Sequence, residues 1–233
     1  MNREQFVKEL ENINVKITEN QLNQLEKYYE MLVEYNKVMN LTGITEHNQV
    51  FLKHFYDSLT LAKIIDLKEN CTLCDIGTGA GFPGLVIKIC FPNLKVVLLD
   101  SLNKRTNFLN NVIKELNLKN IEVIHTRAEE YALNHRNQFD ITTARAVAHL
   151  SILLEYAIPM TKENKYFIAL KANVEEEINE IDNALKCLNV KIEERQEFNL
   201  PIENSTRTII KFKKIKDNGK YPRKYSEIKK NRL

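Results

Sequence analysis

The sequence has few of the features that mark a secreted or membrane-bound protein. It contains no run of about 18 apolar residues, the length that a helix needs to span a bilayer. The N-terminus is charged and has no apolar core followed by a small-residue cleavage site, so it does not resemble a secretory signal. Four cysteines in 233 residues do not indicate a disulfide framework. We therefore expect a cytoplasmic protein.

Two of the four cysteines have the spacing of half a zinc site. Cys71 and Cys74 form a C-x-x-C pair, but no second Cys or His pair follows at a finger-like spacing. Both lie in an apolar run that is typical of a core strand, where small buried thiols are common. The sequence therefore favours two core thiols and predicts no metal site.

An excess of charge of one sign is also missing from the chain as a whole, since the formal net charge is only +3. The positive charge concentrates at the end, where the residues from Lys211 onward include only two acids, Asp217 and Glu227. Such a segment is either a solvated tail or an arm that binds phosphates, and the charge pattern leaves both interpretations open.

The first part of the chain has the apolar spacing of helices. Thr18, followed by Gln21 three residues later, predicts a helix start with a capping box. A polar break at residues 40–45 separates this helix from a second one, whose apolar face is predicted to contain Val50, Phe55, Leu59 and Ala62. We expect residues 1–66 to form a helical extension that packs against the rest of the chain.

From Cys71 onward, short strand-like runs alternate with helical ones. This alternation predicts a parallel sheet covered on both faces, with helical runs near 82–90, 101–117, 126–134, 147–158 and 174–188. The last two strands have only a short loop between them, which predicts an antiparallel hairpin at one sheet edge. The predicted strands are 71–76, 95–100, 121–125, 139–143, 165–171, 190–198 and 206–213.

Glycine is scarce, with six in the chain, yet four of the six fall within residues 77–84. A glycine-rich turn between a strand and a helix brings backbone N–H groups close to a ligand. Gly79-Ala-Gly-Phe-Pro-Gly84 fits the dinucleotide pattern G-x-G-x-x-G, whereas Gly77-Thr-Gly-Ala-Gly81 fits the G-x-G-x-G of enzymes that use S-adenosylmethionine. The pattern alone therefore permits either cofactor.

Three features favour S-adenosylmethionine over a nicotinamide cofactor. Asp75 precedes the loop, where a carboxylate repels a pyrophosphate but accepts hydrogen bonds, directly or through water, from the cationic end of a methionine moiety. Pro83 removes an N–H near the helix start. The three glycines Gly77, Gly79 and Gly81 make a long open turn. Asp100, at the end of the next strand, suits the ribose hydroxyls of either cofactor and does not discriminate between them. We therefore predict a class I S-adenosylmethionine-dependent methyltransferase. Residues 67–214 should form its Rossmann-like α/β core, with a seven-stranded, mostly parallel sheet and an antiparallel edge hairpin. Residues 215–233 should form a basic tail.

Several segments resemble one family, the small-subunit (16S) rRNA guanine-N7 methyltransferases, also known as glucose-inhibited division protein B. The resemblance runs from about residue 35 to residue 224. The chain departs from the family pattern at Ala172, where the family usually has glycine, and after Lys224, where Pro-Gly is common. The segments that carry it are Asn40-Leu-Thr42, His54-Phe-Tyr-Asp-Ser-Leu59, Asp75–Gly84, Leu99–Leu109, Arg127-Ala-Glu-Glu130, Arg145-Ala-Val-Ala148 and Tyr221-Pro-Arg-Lys224.

The resemblance implies methyl transfer from S-adenosylmethionine to N7 of a guanine in 16S rRNA, guanine 527 in the rRNA's own numbering. Because N7 carries a free lone pair, no general base is expected, and Arg145 at the carboxyl edge of the sheet is predicted to position the reactants or the cofactor. No role is predicted for His54 and Asp57. The cofactor contacts that the resemblance implies are Gly77, Phe82, Ala128, Glu129 and Arg145.

Basic residues near the predicted site are candidates for binding RNA. The substrate is expected to be 16S rRNA or the small ribosomal subunit, and the enzyme is expected to be a monomer with no membrane partner. A nicotinamide-dependent oxidoreductase and a non-catalytic RNA-binding module on a methyltransferase fold are the alternatives. The predicted RNA contacts are Lys104, Arg105, Lys171, Arg207, Arg223 and Lys224.

Overall fold

A computed structural model describes residues 1–67 and 70–233 and contains one seven-stranded sheet. The strand order is β3-β2-β1-β4-β5-β7-β6, in which β1 to β5 are parallel and β7 runs antiparallel to both β5 and β6. This is the predicted parallel sheet with an antiparallel hairpin at one edge. The strands are β1 (Thr72–Ile76), β2 (Lys95–Asp100), β3 (Ile121–His125), β4 (Phe139–Arg145), β5 (Thr161–Lys171), β6 (Val190–Asn199) and β7 (Thr206–Lys214).

Helices follow the strands as predicted, with two local differences. The predicted helix at 174–188 is divided into two short helices, and the predicted strand at 165–171 begins earlier, at Thr161, with an irregularity in its pairing with β4 between Thr161 and Tyr166. The helices of the core and the tail are α5 (Gly84–Cys90), α6 (Asn103–Glu115), α7 (Ala128–Asn134), α8 (Leu150–Met160), α9 (Glu175–Asn179), α10 (Asp182–Cys187) and α11 (Tyr225–Lys230).

The N-terminal helices are α1 (Arg3–Asn12) and α2 (Glu19–Met39), and each begins with a capping box. The predicted box at Thr18 forms, with the Thr18 hydroxyl accepting from the Gln21 backbone and the Gln21 amide oxygen accepting from the Thr18 backbone. The Gln21 side chain also donates to the carbonyls of Ile89 and Cys90 at the end of α5. One residue therefore starts α2 and ties it to the core.

The second predicted helix changes its winding several times. It comprises α3 (His47–Val50), a π-helical turn (Phe51–Tyr56), α4 (Asp57–Leu59) and a 3₁₀ turn (Thr60–Lys63). Its apolar face packs inward as predicted, since Val50, Phe55 and Leu59 are fully buried. A π-helical turn changes the angular spacing of side chains. Here Phe51 and Phe55 are in ring contact within the core, while His54 and Asp57 line a cavity on the other side.

The core consists of two apolar clusters, one on each face of the sheet. Neighbouring strand residues alternate between them: Leu73 belongs to the first cluster and Cys74 to the second. The first cluster joins the N-terminal helices to α5 and α6, and the second lies under α7, α8 and α10 and includes Ile228 of α11. Within the described ranges, no helix is long and apolar enough to cross a membrane.

The C-terminal segment is attached to the core by ion pairs. The Arg136 guanidinium donates to both carboxylate oxygens of Asp217, at 2.7 Å for the shortest contacts. Arg223 donates from Nε and Nη2 to the carboxylate of Glu155, which is fully buried in α8. These two bidentate pairs hold the segment that leads to α11 against α8 and the loop between α7 and β4.

Candidate active site

The glycine loop lies between β1 and α5, at the carboxyl edge of the sheet. Gly77, Gly79 and Gly81 have φ angles of 66°, 63° and 108°, in the left-handed region that favours glycine. A Cβ atom on Gly77 would lie 2.7 Å from Cγ1 of Val147, which packs over the loop. β1 is flanked by β2 and β4, so the loop lies where the strand order reverses, the usual ligand-binding position in such sheets.

Asp75 lies beneath the loop and holds it in place. Its Oδ2 accepts hydrogen bonds from the Thr78 hydroxyl at 2.6 Å and the Gly84 backbone N–H at 2.8 Å. Its Oδ1 is buried and has no partner among the described residues. Burial raises the pKa of Asp75 to about 6, against the effect of these hydrogen bonds. Asp75 lines neither cavity described below, so its predicted contact with the cofactor stays a prediction.

A small cavity of about 130 Å³ lies at the ends of β1, β2 and β3, and we call it the strand-end cavity. Asp100 on its wall accepts from the backbone N–H of Gly79 through Oδ2 and from that of Leu102 through Oδ1, both at 2.9 Å. Glu129, also on the wall, is buried and accepts from Arg127 Nε at 2.8 Å. Two acidic acceptors are therefore fixed around one narrow opening.

A larger cavity of about 550 Å³ adjoins it, and we call it the arginine cavity. Gly77 and Val147 belong to the walls of both cavities. The wall of the arginine cavity is drawn from seven separate stretches of the chain. Its lining includes Thr42, Lys53, His54, Asp57, Gly77, Gly79, Phe82, Arg105, Arg145, Lys171 and Arg207.

Arg145, at the end of β4, is the centre of this wall. Its Nη1 donates to the Lys53 carbonyl at 2.9 Å and to Asp57 Oδ2 at 3.1 Å. Its guanidinium lies 5.0 Å above the ring of Phe82. Burial lowers the pKa of Arg145, and the Asp57 carboxylate opposes that effect. Arg207 of β7 donates from Nε to the other oxygen of Asp57, Oδ1, at 3.0 Å.

His54 contacts Arg145 from a second side. Its ring stacks on Phe82 with centroids 4.4 Å apart, and burial together with the neighbouring Arg145 lowers its pKa to about 3, so it is neutral at pH 7. Nδ1 lies 3.3 Å from Arg145 Nη2 and 3.2 Å from the Lys53 carbonyl. Because a guanidinium only donates and already occupies that carbonyl, we assign Nδ1 as the acceptor. Nε2–H then donates to the Thr42 hydroxyl at 2.7 Å.

The sequence pattern predicts no role for Thr42, His54 or Asp57. They fall in the Asn40–Thr42 and His54–Leu59 segments, whose resemblance to the family was the only signal that marked them. Their separation from residues 145 and 207 along the chain hides the contact, which forms only when the helical extension packs on the sheet.

The other predicted cofactor contacts surround the glycine loop. Gly77, Gly79 and Phe82 line the arginine cavity, and Gly77 also lines the strand-end cavity with Asp100, Ala128 and Glu129. Arg145 lies only in the arginine cavity. The structure thus brings together eight residues that the sequence marked, all except Asp75 on cavity walls.

The predicted RNA contacts are distributed differently. Lys104 is exposed and donates to the Met39 carbonyl at 2.9 Å, while Arg105 lines the arginine cavity 3.4 Å from Asp100. Lys171 is almost buried and pairs with Glu177 at 2.8 Å, although it also lines the arginine cavity. Arg223 and Lys224 lie in the C-terminal segment, where Arg223 is neutralised by Glu155 and Lys224 is exposed. Their contacts with RNA stay predictions.

Known proteins resemble this chain in sequence and in fold. The family model described as rRNA small subunit methyltransferase G matches residues 21–206. Proteins named ribosomal RNA small subunit methyltransferase G from Lysinibacillus sphaericus and Bacillus licheniformis are 48% and 50% identical to this chain over 228 residues. These alignments cover 96% of this chain, 96% of the first protein and 95% of the second.

Solved structures share the fold at lower sequence identity. A SAM dependent methyltransferase from Aquifex aeolicus superposes with a TM-score of 0.56 at 21% identity, covering 76% of this chain and 97% of its own. M. jannaschii TYW2 in complex with AdoMet gives a TM-score of 0.53 at 14% identity, covering 64% and 71%. The fold is therefore that of S-adenosylmethionine-dependent methyltransferases, and the chain belongs to the rRNA small subunit methyltransferase G family.

Proposed function

We propose that this protein transfers a methyl group from S-adenosylmethionine to N7 of a guanine in the 16S rRNA of the small ribosomal subunit, guanine 527 in rRNA numbering. The observation that carries the proposal is the pair of adjoining cavities that share Gly77. One has acidic acceptors on its wall and the other has guanidinium groups, as expected when a nucleoside-bearing cofactor and an RNA nucleotide meet at one point.

The residues around the glycine loop fit such a cofactor. Gly77 leaves space that a Cβ atom would fill, between the loop and Val147. Asp100 and Glu129 offer carboxylate oxygens to the hydroxyl and amino donors of an adenosine moiety. Asp75 Oδ1, buried without a partner among the described residues, places an uncompensated acceptor beneath the loop. When bound, the cofactor supplies an electrophilic methyl group on a sulfonium.

The residues of the arginine cavity suit an acceptor that needs no deprotonation. The Asp57 carboxylate is engaged by two arginines, and the pKa of His54 is lowered to about 3 by burial and Arg145. His54 therefore holds its position as an acceptor for Arg145 and is a poor base. Guanine N7 is already a nucleophile, so catalysis rests on alignment of the base with the methyl group.

The electrostatics of the arginine cavity favour a nucleic acid. Cationic side chains on its wall outnumber the single carboxylate of Asp57. Guanine O6 can accept from arginine while N7 keeps its lone pair for the methyl group, and the RNA backbone adds phosphate charge. The cationic lining residues are Lys53, Arg105, Arg145, Lys171 and Arg207.

Mass spectrometric mapping tests the proposal directly. Small ribosomal subunits that lack the modification are incubated with the purified protein and S-adenosylmethionine bearing a labelled methyl group. The 16S rRNA is then digested and its methylated guanines are located, with naked 16S rRNA as a parallel substrate. We expect one new N7-methylguanosine, at guanine 527, in the presence of the protein only.

A second measurement separates the alternatives. Calorimetry should detect binding of S-adenosylhomocysteine and none of NADH. Binding of NADH alone would support an oxidoreductase instead. Binding of S-adenosylhomocysteine without methyl transfer to subunits or RNA would support a non-catalytic RNA-binding module.

A further inference from the structure

We propose that Asp57 and His54, from the helical extension, are positioning residues that hold Arg145 and Arg207 as a paired guanidinium wall for the acceptor nucleotide. This inference rests on the proposed function and extends it to residues that do not belong to the methyltransferase sheet. His54 also stacks on Phe82 of the glycine loop, whereas neither His54 nor Asp57 lines the strand-end cavity.

The Asp57 carboxylate is shared between two arginines, one on each oxygen. Oδ2 accepts from Arg145 at 3.1 Å and Oδ1 accepts from Arg207 at 3.0 Å. The side chains are 8%, 14% and 18% exposed for Asp57, Arg145 and Arg207, so the charges interact with little screening. Without this carboxylate, two nearby guanidinium groups would repel each other and separate.

His54 fixes the remaining freedom of Arg145. Asp57 and the Lys53 carbonyl both bind Nη1, which leaves Nη2 free to rotate about that contact. His54 Nδ1 accepts from Nη2, and the Thr42 hydroxyl in turn orients the His54 ring through Nε2. The chain Thr42–His54–Arg145 therefore sets the plane of the guanidinium.

The arrangement leaves donors available to a ligand. Arg207 uses Nε for Asp57 and Nη1 for the Thr206 carbonyl, and no hydrogen bond from its Nη2 to the described residues is found. Since both arginines line the same cavity, their unused N–H groups can bind oxygen atoms of a nucleotide. Neutral His54 matters here because a charged imidazolium would repel Arg145.

Steady-state kinetics on small ribosomal subunits tests the proposal. Asp57→Asn keeps the size of the side chain but places an N–H donor against one guanidinium. We expect kcat to fall about a hundredfold, because the acceptor nucleotide would no longer be aligned with the methyl group. The Kd for S-adenosylhomocysteine should change less than about twofold. A general structural defect would instead weaken cofactor binding in parallel with the activity, whereas some loss of Tm is expected in either case because two buried guanidinium groups lose their carboxylate.

Variants of His54 provide a rescue test. The amide oxygen of His54→Asn replaces Nδ1 as an acceptor for Arg145, whereas His54→Ala leaves Nη2 without that partner. We expect His54→Asn to retain several times the kcat of His54→Ala. Glu26→Gln is the matched control, because it removes a carboxylate bound to His47 at 2.8 Å in the same helical extension, away from the cavity.

The outcomes distinguish this inference from the proposed function. If the wild type fails to methylate subunits, the proposed function fails. If the wild type is active and Asp57→Asn has an unchanged kcat, or His54→Asn and His54→Ala behave alike, the positioning role is overturned. Loss of activity in Glu26→Gln equal to that in Asp57→Asn would also overturn it, since the effect would then belong to the extension as a whole.

Discussion

The glycine loop and the arginine cavity meet at Gly77 but are built in opposite ways. The loop is one contiguous segment, and its carboxylate, Asp75, is bound by a hydroxyl and a backbone N–H only three and nine residues away. In the cavity, the carboxylate of Asp57 is bound by side chains 88 and 150 residues away. One site is local in sequence, and the other exists only through tertiary packing.

The difference determines which kind of substitution disrupts each region. In the loop, the constraint is backbone geometry, which a single added carbon atom disturbs. In the arginine cavity, the constraint is charge balance, which the loss of one partner disturbs for all the others, because a buried charge without a partner is costly.

Arg145→Ala should affect the cavity most. It removes the central guanidinium and leaves the Asp57 carboxylate with Arg207 alone, so we expect turnover to fall a hundredfold or more and stability to fall by about 3 kcal/mol. Methylation of small subunits and chemical denaturation measure the two effects. Turnover within a factor of two of the wild type would remove Arg145 from the site.

Asp75→Asn should alter the pH dependence of stability through the loop alone. Because burial raises the pKa of Asp75 to about 6 in the folded state, protonation favours the fold. The contribution is complete below the unfolded pKa of about 4 and is lost as the pH rises through about 6.

The size of this effect follows from the shift of about two pKa units. Relative to Asp75→Asn, the wild type should gain roughly 3 kcal/mol in free energy of unfolding between pH 7 and pH 4. Urea denaturation at several pH values measures it. Parallel stability curves for the two proteins would show that the Asp75 carboxyl is not perturbed.

Gly77→Ala should weaken cofactor binding about tenfold, through strain at a left-handed φ and contact with Val147. Calorimetry with S-adenosylhomocysteine measures it, and adding Val147→Ala should restore only part of the affinity because the backbone strain remains. Gly43→Ala is the control, since a Cβ atom there meets nothing within 4 Å. Equal affinities for Gly77→Ala and Gly43→Ala would contradict the role given to the loop.

Lys104→Ala should give the smallest effect, because this exposed lysine precedes Arg105 but lines neither cavity itself. If Lys104 binds an RNA phosphate, the slope of log affinity against log salt should decrease by about one without loss of cofactor binding. Lys8→Ala, in α1, is the matched control for an exposed lysine. Identical slopes for the two variants would exclude Lys104 from the RNA interface.

The same contrast explains which features the sequence revealed. Glycine spacing, the Thr18–Gln21 capping box and the alternation of strands and helices are local signals, and the fold they predicted is the one observed. The division of the predicted helix 174–188 and the π-helical turn at Phe51–Tyr56 were not predicted, because propensity and periodicity do not specify how a helix adjusts its winding to a neighbour.

The sequence was enough to locate the cofactor loop, since a glycine-rich strand-to-helix turn is a property of a short segment. It also marked Arg145 at the end of a strand and, by resemblance, the segments that contain Thr42, His54 and Asp57. The orientation of Asp75 towards the loop and the binding of two arginines by Asp57 became visible only in the folded molecule. Pairing over 88 and 150 residues depends on how the helical extension packs on the sheet, and no local pattern encodes that packing.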